Sequence, residues 1–226
     1  MPHWQSKNYN MAACLVCSAQ TEWWDFSKDG LRYRHCPACE YIRLDDTCRV
    51  SPAEEKKRYL CHENTLDNAG YVAMFEQFIT AAVLPHTPSH AHILDFGCGP
   101  GSEPVLAVLL RRREFQVDIY DPHFHPGTAY RENTYACIVL TEVLEHLPDP
   151  LTTLTALRNN LVPRGVLALM TSFHTNDRDA FMRWWYRIDT THISFFSSQT
   201  LTVLAGKLEL AVSFVNNKNI VCLMKP

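Results

Sequence analysis

The chain has 226 residues, of which 46% are hydrophobic and 20% charged, enough for one ordinary domain and a small appendage that bury a core without staples. A formal net charge of −3 argues against a protein held to nucleic acid chiefly by neutralising phosphates. No apolar run reaches the length of a membrane span, and the start MPHWQSKNYN does not read as an export signal, so a cytoplasmic protein is expected.

In chain order, residues 1–50 are rich in cysteine, aromatic residues and turn formers. They carry Cys14-x2-Cys17 and, eighteen residues on, Cys36-x2-Cys39. Each pair can fold as a knuckle presenting two thiolates, and two knuckles make the tetrahedral sulfur set that suits a closed, structural zinc. Cys48, Cys61 and His35 lie nearby and read as packing or surface residues. Residues 51–90 read as a helical connector. Ser51 suits an N-cap, Pro52 the first helical position, and Glu54 and Glu55 the first turn. A second helix is expected over 67–84, then a linker over 85–90.

From Ala91 strands and helices alternate. Strands are expected at 91–96, 115–121, 135–143 and 164–172, helices at 102–114, 151–161 and 197–209, and a closing hairpin at 210–217 and 219–226. Such alternation predicts an α/β, Rossmann-like fold with a mostly parallel sheet covered on both faces. The loop after the first of these strands reads Ile93-Leu94-Asp95-Phe96-Gly97-Cys98-Gly99-Pro100-Gly101. Glycines allow a tight turn and close approach of a ligand to the backbone. The acid before them would repel a pyrophosphate and attract a cation, such as the amino group of an amino-acid-like ligand. Asp121 ends the next strand, where a carboxylate can accept from ribose hydroxyls.

These residues resemble the class I S-adenosylmethionine-dependent methyltransferases. ILDFGCGPG resembles their first motif, Asp121 their ribose-binding acid, and YACIVLTEVLEHLPDP their fourth strand and following loop. RGVLALM resembles the fifth strand. The resemblance covers residues 90–226 and is nearest the ubiquinone-biosynthesis O-methyltransferase-like branch, which often carries EVLEH. It implies a seven-stranded-type core over 91–226 and a cofactor site of Asp95, Phe96, Gly97, Cys98, Gly99, Gly101, Asp121, Pro122, Thr141 and Glu142, with Tyr71 from the connector. Tyr59, His62 and Tyr71 are placed to close over it. One departure stands out: thirteen residues separate Asp121 from Tyr135, too few for the usual helix and third strand with its adenine-reading acid. A shortened or missing third strand is expected, with adenine held by apolar packing and backbone near Pro122 and His123.

Methyl transfer is an in-line displacement that needs a positioned nucleophile and often a base. Glu142, Glu145 and His146 follow the fourth strand, and His192 sits in the aromatic segment beyond the fifth. His192 is a candidate base. The same four residues make an oxygen and nitrogen set for a divalent metal, as small-RNA 3′-terminal ribose methyltransferases and some quinol O-methyltransferases of similar sequence hold one. Many relatives carry EVLEH without metal, where Glu145 and His146 serve the loop. Trp184, Trp185 and Tyr186, flanked by Arg183 and Arg187, read as a lid or pocket wall for a planar or anionic small molecule. The expectation is therefore a small-molecule O-methyltransferase. An RNA methyltransferase gripping nucleic acid through the zinc lobe stays open, although residues 1–60 hold nine Lys/Arg against eight Asp/Glu. A cofactor-sensing module that docks a protein partner also stays open.

Overall fold

The structure is a computed structural model that describes residues 12–25, 30–61 and 64–226. The N-terminal lobe contributes β1 (Glu22–Asp25), β2 (Arg32–His35) and β3 (Ile42–Leu44). The connector contributes α1 (Pro52–Tyr59) and α2 (Ala69–Phe78), the latter continuing as a wider π turn over Ile79–Val83. The α/β core follows as β4 (His92–Phe96), α3 (Val105–Arg111), β5 (Gln116–Tyr120), β6 (Tyr135–Thr141), α4 (Pro150–Asn159) and β7 (Leu161–Met170). It ends with α5 (Arg178–Arg183), β8 (Ser194–Phe195), α6 (Ser198–Lys207), β9 (Ala211–Val215) and β10 (Ile220–Met224). Helix starts follow cap chemistry. Ser51 and Glu54 form a capping box at α1, Asp149 caps α4, and Ser197 with Thr200 boxes α6.

Six strands form the main sheet in the order β5-β4-β6-β7-β10-β9. The first four run parallel, and β10 joins antiparallel to β7 and to β9, giving the expected closing hairpin. Among the described residues the third strand of the seven-stranded type is missing, as the spacing from Asp121 to Tyr135 predicts. The stretch from Asp121 to Tyr135 holds a bridged turn, Asp121 to His125, and a short 3-10 turn over Ala129–Glu132. The sheet therefore ends at β5. Alternation along β6 sends Ile138 and Leu140 to one face and Cys137 and Val139 to the other. The first face packs on α4 and α6 through Leu154, Leu157, Leu201 and Leu204, the second on α2 and α3 through Phe75, Phe78, Leu106 and Leu110. No helix of the described residues is long and apolar enough to cross a membrane.

The N-terminal lobe does not close on itself. Its sheet runs β1-β2-β3-β8, so the fourth strand comes from the far end of the chain. Ile42 pairs with Phe195 and Arg43 with Ser194, while the Leu44 N–H donates to the Ile193 carbonyl. Behind this joint, Trp24, Tyr33, Ile42 and Leu44 share a core with Phe181, Tyr186 and Phe195. The division expected at residue 50 is thus a change of chain texture that one hydrophobic cluster crosses. Phe195→Ala should cost about 3–5 kcal/mol. Tryptophan fluorescence and far-ultraviolet dichroism should follow one transition in denaturant, and two separate transitions would show a lobe that folds alone.

Candidate active site

A cleft of about 1240 Å³ opens at the carboxyl edge of the parallel strands, lined by residues of the loops after β4, β5 and β6, by the segment 185–192 and by α1 and α2. That edge is where ligands sit in open α/β sheets. The loop after β4 adopts left-handed backbone at Gly97 and Gly99. A β-carbon on Gly97 would lie 2.4 Å from a Val143 methyl, so the close approach of the β4 and β6 loops demands glycine. The Asp121 carboxylate fixes the neighbouring turn. Its Oδ1 accepts from the His123 and Phe124 amides at 2.8 and 3.1 Å, and its Oδ2 accepts from the Gly99 amide at 3.1 Å.

Asp95 is 1% exposed, and its Oδ2 has no hydrogen-bond partner. Burial pushes its carboxyl up to about 7, opposed by Arg111 and reinforced by Asp121. An unpaired buried carboxyl beneath a glycine loop, with Tyr71 beside it and a ribose-type carboxylate across the turn, fits the ammonium and ribose of an aminoacyl nucleoside. Phe96, Gly97, Cys98, Gly99, Pro122 and Thr141 also line the cleft. Gly101 does not; its carbonyl accepts from the half-buried His125 ring at 2.8 Å.

Beyond this half lies a polar cluster. Glu142 has a left-handed backbone, φ 53, a conformation uncommon for a residue with a side chain, anchored by its amide on the Met170 carbonyl. The Tyr186 hydroxyl stands 3.0 Å from Glu142 Oε2 and 2.5 Å from Glu145 Oε1. The single phenol proton serves one carboxylate at a time, and the two carboxyls crowd around it. Burial lifts both carboxyls above the usual range, and the Glu142 charge lifts the fully buried Glu145 further. Glu145 Oε2 has no hydrogen-bond partner. His146 donates from Nδ1 to the Thr191 carbonyl at 3.0 Å, and His192 from Nδ1 to the Tyr186 carbonyl at 2.7 Å. A carbonyl can only accept, so each ring carries a proton on Nδ1. One ligand atom from each of Glu145, His146 and His192 falls within 4.8 Å of the others.

The aromatic segment divides. Trp185 is 69% exposed and walls the cleft with Tyr186, whereas Trp184 turns away to pack on Phe181 and Phe195. The expected arginine pair does not face a ligand. Arg183 is exposed outside the cleft, and Arg187 is buried against the lobe, donating to the Tyr33 hydroxyl and the Met182 carbonyl. Cations that do line the cleft are Arg58 and Lys218. His123, expected beside the adenine, faces Tyr59 with ring centroids 5.7 Å apart, and Asp189, a lining residue with little sequence signal, salt-bridges Arg58 at 2.8 Å. His62 lies outside the described residues.

The four cysteines meet. Cys14 and Cys39 Sγ are 3.5 Å apart, Cys17 and Cys36 Sγ 3.4 Å, and the whole set falls within 4.8 Å. A zinc tetrahedron with bonds of about 2.3 Å has sulfurs about 3.8 Å apart, so the set is sized for it. The Cys39 thiol holds Cys14 down to about 5, while burial pushes Cys36 up to about 11.

A family profile described as a methyltransferase domain matches residues 72–213. The chain belongs to the methyltransferase-domain family. No curated protein sequence matches it. Among solved structures, this methyltransferase is similar in fold to the mitomycin 7-O-methyltransferase MmcR, at 14% identity and a TM-score of 0.52, covering 70% of this chain and 55% of that one. It is similar also to an O-methyltransferase family protein from Burkholderia thailandensis, at 12% identity and a TM-score of 0.52, covering 76% and 62%. CalO1, a methyltransferase in calicheamicin biosynthesis solved with S-adenosylhomocysteine (SAH), gives 14% identity and a TM-score of 0.52, covering 77% and 59%. The methyltransferase thus spans 55–62% of the length of these three structures.

A bound ammonium favours ionised Asp95. The affinity of the methyltransferase for SAH should therefore be level above pH 7 and fall about tenfold per pH unit below it, as binding comes to require release of the Asp95 proton. Calorimetry across pH 5–8 checks this, and Asp95→Asn should bind weakly with a flat profile.

Proposed function

We propose that this methyltransferase methylates a hydroxyl of a small planar acceptor bound between Trp185 and the histidines 146 and 192. The observation that carries the reading is the pair of rings that line the cleft at the carboxyl edge, each fixed through Nδ1 on a backbone carbonyl. S-adenosylmethionine, when bound, supplies an electrophilic methyl on a positive sulfur. Asp95 would hold its ammonium and Asp121 its ribose. His192, or His146, takes the acceptor hydroxyl proton as the oxygen attacks in line, and the proton leaves to solvent through the imidazole. Trp185 and Tyr186 offer aromatic faces that orient a flat acceptor and keep water from the reacting carbon. The EVLEH run supports placing the chain in the ubiquinone-biosynthesis-like branch. With Arg183 and Arg187 outside the cleft, an anionic group on the acceptor would be met by Lys218 instead.

A second reading concerns a divalent cation at Glu145, His146 and His192, with Glu142 reached through Tyr186. It is favoured by the unpartnered Glu145 oxygen and by the crowding of two carboxyls around one phenol, whose charge a cation would offset. Such a cation would acidify and orient the acceptor hydroxyl. The cysteine set is proposed to hold a structural zinc, since four thiolates leave no open position for chemistry.

The test is methyl transfer from labelled S-adenosylmethionine to a panel of phenols, quinols, carboxylic acids and RNA 3′ ends, with and without Mg²⁺. Phenol or quinol products are expected, and His192→Ala should lower their rate by about 10²–10⁴ while leaving SAH binding intact. Labelling of RNA ends alone would overturn the small-molecule reading. A response to Mg²⁺ that Glu145→Gln abolishes would establish the cation. Elemental analysis should find one zinc per chain, and Cys14→Ser with Cys17→Ser should give insoluble or readily proteolysed protein.

A further inference from the structure

We propose that Glu55 of α1 reads the exocyclic amine of the cofactor's adenine, in place of the carboxylate that a third strand would carry. The proposal rests on the S-adenosylmethionine reading above.

The nucleoside end of the cleft follows from Asp121. Its carboxylate is the ribose group, and residues 122–124 lead outward from it along the cleft wall. The base therefore lies against Pro122, His123 and Phe124. Adenine presents there an exocyclic amine with two N–H donors. The segment between Asp121 and Tyr135 offers it no carboxylate, because Glu132, its one acid, is exposed and does not line the cleft.

The carboxylates lining the cleft among the described residues are Glu55, Asp95, Asp121, Glu142 and Asp189. Four have other work. Asp95 lies under the glycine loop, Asp121 organises its own turn, and Glu142 is bound to Tyr186. Asp189 accepts from Arg58 and from both the amide and the hydroxyl of Thr191. Glu55 remains, and it is the one across from the base-side turn: its Oε2 lies 3.7 Å from His123 Nε2. That separation is too long for a hydrogen bond, and leaves Oε2 as an acceptor. The other oxygen, Oε1, accepts from the Tyr59 hydroxyl at 2.8 Å, which fixes the carboxylate in place.

The helix that carries Glu55 has an unusual construction. None of its residues is buried. It therefore has no apolar stripe of its own to seat it on the core. Glu55, Arg58 and Tyr59 share one face at helical spacing, and all three line the cleft. Arg58 binds Asp189, Tyr59 sits edge-on to His146 with centroids 5.2 Å apart, and Lys56 stands 5.6 Å over the Phe124 ring. Every one of these anchors is a cleft residue or, in Phe124, the end of the base-side turn. A helix anchored on the site it covers is placed to take part in recognition there.

The test is calorimetry with SAH and with S-inosylhomocysteine, which carries a carbonyl oxygen where the amine stands. The wild type should bind SAH about tenfold or more tightly than the inosyl ligand, the margin of a charge-assisted hydrogen bond. Glu55→Leu should bring the ratio to about one. Glu55→Gln, whose amide can donate to the carbonyl, should do the same while improving the inosyl ligand. Thermal melts confirm that both variants fold. Equal binding of the two ligands by the wild type overturns the proposal, as does a ratio unchanged in Glu55→Leu. A variant with an unchanged ratio but slower methylation would assign Glu55 to the acceptor instead. Absence of binding by either ligand to the wild type would overturn the cofactor reading itself, and this proposal with it.

Discussion

The short antiparallel pairing of β3 with β8 is the joint on which the arrangement of this protein depends. Only two residue pairs are involved, but they begin two residues beyond His192. The Ile193 amide donates back to the Glu145 carbonyl, and the Ser194 hydroxyl to the Leu147 carbonyl at 2.9 Å. On the other side, the Tyr41 hydroxyl meets Ser194 at 2.7 Å, and the Cys36 amide bonds the Tyr41 carbonyl. The cysteine knuckle, the lobe sheet and the loop bearing Glu145 and His146 are thus tied through a few adjacent peptide groups. Two histidines 46 residues apart in sequence, His146 and His192, meet with ring centroids 4.9 Å apart because this joint brings their segments together.

The cleft then has two halves with different supports. The cofactor half is built from loops leaving parallel strands, and its geometry comes from glycine conformations and from backbone amides gathered by Asp121. The acceptor half is built from side chains anchored on carbonyls of the 185–192 segment, which the lobe holds in place. The first half could be assembled by the sheet alone. The second exists only when the N-terminal lobe and the far end of the chain are folded together.

Much of the first half was legible in the sequence because strand periodicity, a glycine loop and a terminal acid are local patterns. The spacing between Asp121 and Tyr135 even announced the lost strand, since thirteen residues cannot form a helix and a strand. The cysteine set was legible for the same reason. What escaped was everything decided by long-range packing. Nothing local distinguishes Trp184 from Trp185, yet one enters the lobe core and the other faces the cleft. Arg187 looked like an anion binder and instead donates to Tyr33, 154 positions away. The role of α1 was hidden because a polar helix with good caps reads as solvent-exposed, and the cleft residues it rests on come from three distant loops.

The lost strand has another consequence, for how copies of the chain treat one another. An uncovered parallel strand offers a row of backbone groups to any neighbouring chain, an invitation to pair and aggregate. The border of this sheet is furnished against it. The Arg111 guanidinium occupies the Val117 carbonyl at 2.8 Å, and Asp118 sets a charge in the middle of the strand, held by His92, Asn133 and Tyr135. Tyr130 stacks over Tyr120 at the strand's end, with centroids 4.6 Å apart. The shortened loop thus does more than remove a strand: its own side chains screen the border that the deletion exposed, and help keep the chain from polymerising through it.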